Sequence, residues 1–316
     1  MTETHNGPVI ALFAYQDVGY VCLEELLARG ANVRVVFTHA DDPGENRWFR
    51  SVAELAAQHG IPVLMPDVIN TPEWIEYLRA LRPDLILSCY YRQMIGNAIL
   101  DLPPLGAFNM HGSLLPKYRG RAPVNWALVH GETETGVTLH HMVKRADAGD
   151  IIDQQRVAIG PVDTARDLYP RITAAARAVL ARQLDNLLHG TAPRYPQDET
   201  QSSYFGGRRP EDGRIDWSRS ARTVFNLIRA VTHPYPGAFT EYNGRRLYIW
   251  WARPDDTLQG APGEVLSVAP LRIAAGSGNL EIQTWQWEGE QEQKSGSPHG
   301  LRVGDRCNTA PEFNHY

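Results

Sequence analysis

Along the first 160 residues, short apolar runs alternate with stretches of helical spacing. Val9–Ala14, Val33–Thr38, Pro62–Leu64 and Asp84–Ser88 predict strands. Between them, Val21–Arg29, Trp48–His59 and Thr71–Leu81 predict helices, the last with Pro72 at its start, where proline is tolerated. In the Trp48–His59 stretch, Phe49, Val52, Leu55 and Ala56 fall on one face. Continuous rather than alternating apolar strands are buried on both faces. The expected fold class is therefore α/β, a Rossmann-like, doubly wound and mainly parallel sheet.

Residues 163–190 predict one long helix, with Leu168, Ile172, Ala175, Leu180 and Leu184 forming the apolar stripe. The character then changes. Residues 191–213 are rich in proline, glycine and polar side chains and predict a linker. One further helix is expected over 221–232. After it come short strands punctuated by glycine (AFTEY, RLYIWWA, GEVLSVA, LRIAAG, NLEIQTWQW), which predict a small, OB-like β-barrel. The expected domains are a catalytic domain over 1–203 and, over 204–316, a helix, the barrel and a polar tail.

Composition narrows the class. The chain has 316 residues, 43% of them hydrophobic, and a formal net charge of −5. A nucleic-acid partner should be matched by a basic excess, so none is expected. No apolar run reaches membrane-spanning length, and the opening MTETHNGP does not predict a secretory signal. Three cysteines, an odd count, argue against a disulfide framework and for a reducing, cytoplasmic setting. Cys22 and Cys89 are expected in the core, and Cys307 as a free thiol in the polar tail. The sequence leaves open whether the chain forms a homo-oligomer.

Familiar cofactor motifs are missing. AYQDVGY follows the first strand where a dinucleotide fold would carry G-x-G-x-x-G. There is no phosphate-cradling G-x-x-x-x-G-K-[ST] loop and no HExxH. His140 and His141 are adjacent on an expected strand and should face opposite ways, so no metal site is expected.

The chemistry-bearing stretch is GAFNMHGSLLPKYRGRAP, residues 106–123. A short strand, Gly106–Asn109, leads to Asn109 and His111, two residues apart and able to face the same way. An asparagine amide can donate to a developing oxyanion, and a histidine can move a proton near neutral pH. Downstream, GVTLHHMVKRADAGDII ends in a polar turn holding Asp147 and Asp150. Either carboxylate could stand beside His111 and stabilise its imidazolium form, and spacing alone does not choose between them.

GAFNMHGSLLPKYRGRAPVNWAL followed by ADAGD resembles the signature of enzymes that use 10-formyltetrahydrofolate as formyl donor. Those enzymes act on methionyl-tRNA, glycinamide ribonucleotide or amino-sugar nucleotides. Further stretches resemble the sugar branch: FAYQDVG, FTHADDPGEN, SCYYRQMI, IRAVTHPYPGAF and PGEVLSVAPLRIAAGSGNLEI. They are most similar to the formyltransferase half of a bifunctional enzyme of lipid A modification and polymyxin resistance, which formylates UDP-4-amino-4-deoxy-L-arabinose. That enzyme continues into a dehydrogenase–decarboxylase half, of which this sequence carries nothing. The expectation is that this activity is supplied separately or that the sugar is a related one, with dTDP-linked 4-amino sugars and methionyl-tRNA as alternative acceptors.

The resemblance implies Asn109, His111 and Asp147 as catalytic residues. It implies folate contacts at Gln93, Met94, Ile95 and Arg121 and along Val143, Lys144, Arg145, Ala146 and Asp147. Tyr90, Tyr91 and Arg121 are candidates for the sugar nucleotide. Asp150 is expected to cap the segment after the turn. A helix start packed on the sheet is the structural alternative for Gln93–Ile95.

Overall fold

The computed structural model describes residues 7–41, 47–294 and 296–308. The opening residues, the DPGEN end of FTHADDPGEN and residues 309–316 of the expected tail lie outside them. The chain forms two compact units. The first holds the residues up to Pro123, Glu134–Ala158 and Tyr169–Gly206. The second holds Val124–Thr133, Ile159–Leu168 and everything from Gly207 onward.

The first unit is built on strands β1 (Val9–Ala14), β2 (Asn32–Phe37), β3 (Val63–Leu64), β4 (Leu85–Cys89), β5 (Gly106–His111), β7 (Glu134–His141) and β8 (Ile151–Ala158). Their order in the sheet is β3-β2-β1-β4-β5-β7-β8. The first five pair in parallel; β7 and β8 run antiparallel at one edge. The predicted doubly wound sheet is present, and its order reverses between β1 and β4, where such sheets bind ligands beyond the carboxyl ends of the strands. A two-residue pair, β6 (Arg119–Gly120) with β9 (Tyr204–Phe205), ties the RGR loop to residues 204–205.

Helices α1 (Gln16–Ala28), α2 (Val52–Gln58), α3 (Pro72–Leu81), α4 (Asn97–Leu100), α5 (Pro123–Val129) and α6 (Ala165–Leu188) link these strands. The predicted Trp48–His59 helix is shorter. Ser51 caps it by accepting the Glu54 N–H, so Trp48 and Phe49 stay outside and pack edge-on against Tyr169 and Tyr15. The strand Gly106–Asn109 extends to His111, which places that histidine on the sheet rather than in the following loop. Helix α4 begins at Asn97, so Gln93–Ile95 precede it and do not form its first turn. One wall of the core joins Ala11, Phe13, Val35, Phe37, Ile86 and Ala107 from the strands to Leu78 of α3 and Ile99 of α4.

The second unit contains α7 (Ala221–Val231) and strands β10 (Ala238–Tyr242), β11 (Arg245–Asp255), β12 (Val265–Val268), β13 (Leu271–Ala274) and β14 (Asn279–Trp287). These form an antiparallel sheet in the order β10-β11-β14-β13-β12. Residues 305–308 hydrogen-bond to both of its edges: Asn308 N–H to Glu241 C=O, and Val265 N–H to Asp305 C=O, each 2.8 Å. The barrel is therefore closed by a segment without an apolar alternation. This corrects the reading of Cys307: it is a buried core residue, 1% exposed, and not a thiol in a polar tail. Burial pushes that thiol up to about 12. Among the described residues no helix is long and apolar enough to cross a membrane.

Candidate functional site

Strands β5 and β7 set the geometry. Their register places Asn109 directly opposite His140, and His111 opposite Thr138. Residues 109, 111, 138 and 140 therefore share one face. The turn after β7 returns Asp147 to that face. Its backbone is left-handed (φ 52°), a conformation aspartate tolerates better than most residues. Gly149 makes the return possible, since a Cβ there would lie 1.9 Å from the His141 carbonyl oxygen.

Asp147 is the centre of the cluster. Its Oδ2 accepts the Gly120 N–H at 2.8 Å and its Oδ1 accepts from Asn109 Nδ2 at 3.2 Å. His140 Nε2 lies 3.4 Å from Oδ1 and His111 Nδ1 3.7 Å from it. Gln197 braces the turn, donating from Nε2 to the carbonyls of Asp147 and Gly149 at 2.8 and 2.7 Å. Burial by itself would raise the Asp147 carboxyl. The His111 charge, the bond and charge from His140 and the Gly120 N–H outweigh it and hold the group well below the usual carboxylate range. Asp147 is therefore an anion at any working pH.

His111 is 6% exposed. Its Nε2 lies 2.7 Å from the Tyr118 carbonyl oxygen, which can only accept, so Nε2 carries a proton. Nδ1, facing Asp147, is the nitrogen left to take up and release a proton. Gly112 follows because Tyr90 occupies the space: a Cβ there would lie 2.1 Å from the Tyr90 hydroxyl. That hydroxyl and the Tyr91 hydroxyl are buried without a hydrogen-bond partner. Burial holds both phenols well above the ordinary tyrosine range.

The structure brings Asn109, His111 and Asp147 together, and it separates Asp147 from Asp150. The Asp150 carboxylate pairs with Arg194 at 3.4 Å, which corrects its expected capping role. The other predicted residues are more spread. Gln93 is anchored: its Oε1 accepts the Ile69 N–H at 2.8 Å and its Nε2 donates to the Pro66 carbonyl at 2.9 Å. Ile95 is buried, while Met94 and Val143 are 58% and 44% exposed, an unusual cost for large apolar side chains. Lys144 and Arg145 are exposed and Ala146 is half-buried. Arg145 reaches Glu199 at 3.1 Å. Arg121 is exposed, and among the described residues only its backbone is engaged, donating to Phe205 C=O.

Two residues were missed by reading the sequence. His140 joins the cluster through the β5–β7 register, a long-range fact that local spacing does not carry. Arg119, two positions before Arg121, is the buried arginine of the loop. It is 1% exposed and grips Gln197 and Glu199 through both guanidinium edges. Among the described residues no group of three or more histidine, cysteine, aspartate or glutamate side chains is arranged to hold a metal ion.

A formyl transferase profile matches residues 16–184, and the profile of the formyl transferase C-terminal domain matches residues 208–297. The chain belongs to the formyl transferase family. Its fold is shared by an N-formyltransferase from Helicobacter canadensis solved with folinic acid and dTDP-3-aminofucose (21% identity over 86% of this chain and 98% of that one, TM-score 0.67). It is shared as well by WlaRD, a sugar 3N-formyl transferase solved with dTDP and 5-N-formyl-THF (21%, 88% and 98%, TM-score 0.67). HypX from Aquifex aeolicus, solved with tetrahydrofolic acid, matches over 92% of this chain but 46% of its own (21% identity, TM-score 0.62).

Proposed function

We propose that this protein transfers the formyl group of 10-formyltetrahydrofolate to the amine of a 4-amino-4-deoxy sugar nucleotide, with UDP-4-amino-4-deoxy-L-arabinose as preferred acceptor. The product would serve modification of lipid A. Residues 1–203 would form the catalytic domain. The observation that carries the reading is the Asn109–His111–Asp147 cluster: a proton-transfer nitrogen and an amide donor, both within 3.7 Å of one oxygen of a fixed carboxylate.

In this reading the neutral amine attacks the formyl carbon and the C=O becomes an oxyanion, which an Asn109 N–H would stabilise. His111 in its imidazolium form delivers the Nδ1 proton to N10 and then takes up the proton of the nitrogen that attacked. The C–N10 bond then breaks, leaving the formamide and tetrahydrofolate. Asp147 stabilises the imidazolium that starts the exchange and is restored at its end. The exposed Met94 and Val143 suit the faces of a flat pteridine ring, supporting folate contacts at Gln93–Ile95 and Val143–Asp147. Tyr90, Tyr91 and Arg121 are proposed to face the sugar nucleotide. The relatives solved with folates and dTDP-sugars support the donor and the acceptor class.

The test is a panel of UDP- and dTDP-linked 4-amino sugars and charged initiator methionyl-tRNA, each with 10-formyltetrahydrofolate. Turnover is expected on the UDP-4-amino-arabinose substrate and not on tRNA. Turnover on dTDP-sugars alone would move the nucleotide assignment, and efficient tRNA formylation would overturn the acceptor class.

A further inference from the structure

Asn109 is the proposed oxyanion donor, yet its amide nitrogen points at protein groups. Nδ2 lies 3.2 Å from Asp147 Oδ1 and 3.2 Å from His140 Nε2. An amide nitrogen has two hydrogens. The carboxylate accepts one. Whether the other is also held depends on His140.

The His140 tautomer follows from its second contact. Its Nδ1 lies 2.8 Å from the His141 carbonyl oxygen, an acceptor only, so Nδ1 carries a proton. In the neutral ring Nε2 is then a bare lone pair. It accepts the second Asn109 hydrogen and faces the Asp147 anion across 3.4 Å without a proton between them. In the protonated ring Nε2–H donates to Asp147 Oδ1 and can accept nothing, so the second Asn109 hydrogen is released.

We infer that His140 is a positioning residue whose protonation frees an Asn109 N–H for the oxyanion. The inference rests on the proposed role of Asn109. His140 is 1% exposed, so no bulk water competes for these bonds. The groups facing it are few. From β5 come Asn109 and His111, the latter at a ring-centroid distance of 6.5 Å. From the turn comes Asp147, with Lys144 and Arg145 directed to the exposed side. From β8 comes the apolar Ile151, its register partner. On its own strand His141 takes the opposite face, where it donates to Pro193 C=O and feels Asp150 and Arg194. Among the described residues, the one anion close to His140 is thus Asp147.

The test combines a spectroscopic and a kinetic reading on the full chain. In the ligand-free protein, the side-chain NH2 signals of Asn109, assigned by their loss in Asn109→Ala, should shift with the same midpoint as His140 Nε2. In His140→Leu that shift should vanish. In kinetics with 10-formyltetrahydrofolate and the amino sugar, kcat should fall with two ionisations on the alkaline side of the wild-type profile and with one in His140→Leu. At one pH unit above the His140 midpoint the ratio of mutant to wild-type kcat should have risen about tenfold relative to its value at low pH. KM for both substrates should stay within about threefold, since the bond at issue acts on the oxyanion. His140→Gln, which cannot titrate, should lose the same ionisation and serves if the leucine variant does not fold. Unchanged Asn109 signals across the His140 titration, or a second alkaline ionisation that survives both replacements, overturns the inference. If Asn109→Ala itself keeps wild-type kcat, the failure lies in the catalytic reading of Asn109 instead.

Discussion

Histidines occur in two places on the same sheet and are treated in opposite ways. At the ends of β1, β2 and β4, His39 stacks on Tyr91 at 4.3 Å and meets the edge of Tyr15. Its Nε2 accepts the Arg92 N–H at 2.9 Å, and the Arg92 guanidinium lies over the Tyr15 ring. Burial first, and then the Arg92 charge, push His39 down to about 4, so it is a neutral aromatic acceptor. Around β5 and β7, His111 and His140 share the Asp147 anion, and that carboxylate is held ionised by them. A histidine beside a cation and aromatic rings is a neutral packing group. A histidine beside a fixed carboxylate is equipped to change its proton count during a reaction.

Removing the anion should break this contrast most strongly. His111→Ala or Asp147→Asn should lower kcat by roughly 10²-fold or more with the fold retained. Near-wild-type turnover in either would remove the second region from the chemistry. Asn109→Ala should cost a similar factor, read in kcat rather than KM, because an oxyanion contact exists mainly in the transition state.

The first region should respond in stability. A histidine held neutral in the fold resists protonation that the unfolded chain accepts. His39 therefore costs nothing above about pH 6.5, lowers stability as pH falls from there to about 4, and adds no further loss below. His39→Phe should flatten the fall in Tm between those pH values while leaving kcat at neutral pH within about threefold. A Tm profile of unchanged slope would show that His39 is not the group responsible. The smallest effect is expected at Asp150, whose carboxylate is engaged with Arg194 away from His111. Asp150→Asn should leave kcat within about threefold.

Much of this was legible in the sequence. Continuous apolar runs announced β1, β2 and β4 because strands buried on both faces need no polar alternation. The N-x-H spacing put Asn109 and His111 on one face for a simple reason, the period of two. Legibility stopped where long-range pairing began. Strand β8 reads IIDQQRVA, too polar to be recognised without its antiparallel partner. His140 sits beside Asp147 only because β7 returns antiparallel to β5 in one register. Arg119 and Arg121 look interchangeable in RGR, yet the β6–β9 pair buries one and exposes the other. Cys307 is core only because residues 305–308 close the second sheet.

The most direct test of the account compares Asp147→Asn with Asp150→Asn across pH. If Asp147 stabilises the His111 imidazolium, its loss removes that support. The alkaline limb of kcat/KM should then move to lower pH, with a lower maximum. Asp150→Asn should keep the wild-type profile. A profile that moves in Asp150→Asn and stays in place in Asp147→Asn would contradict the account.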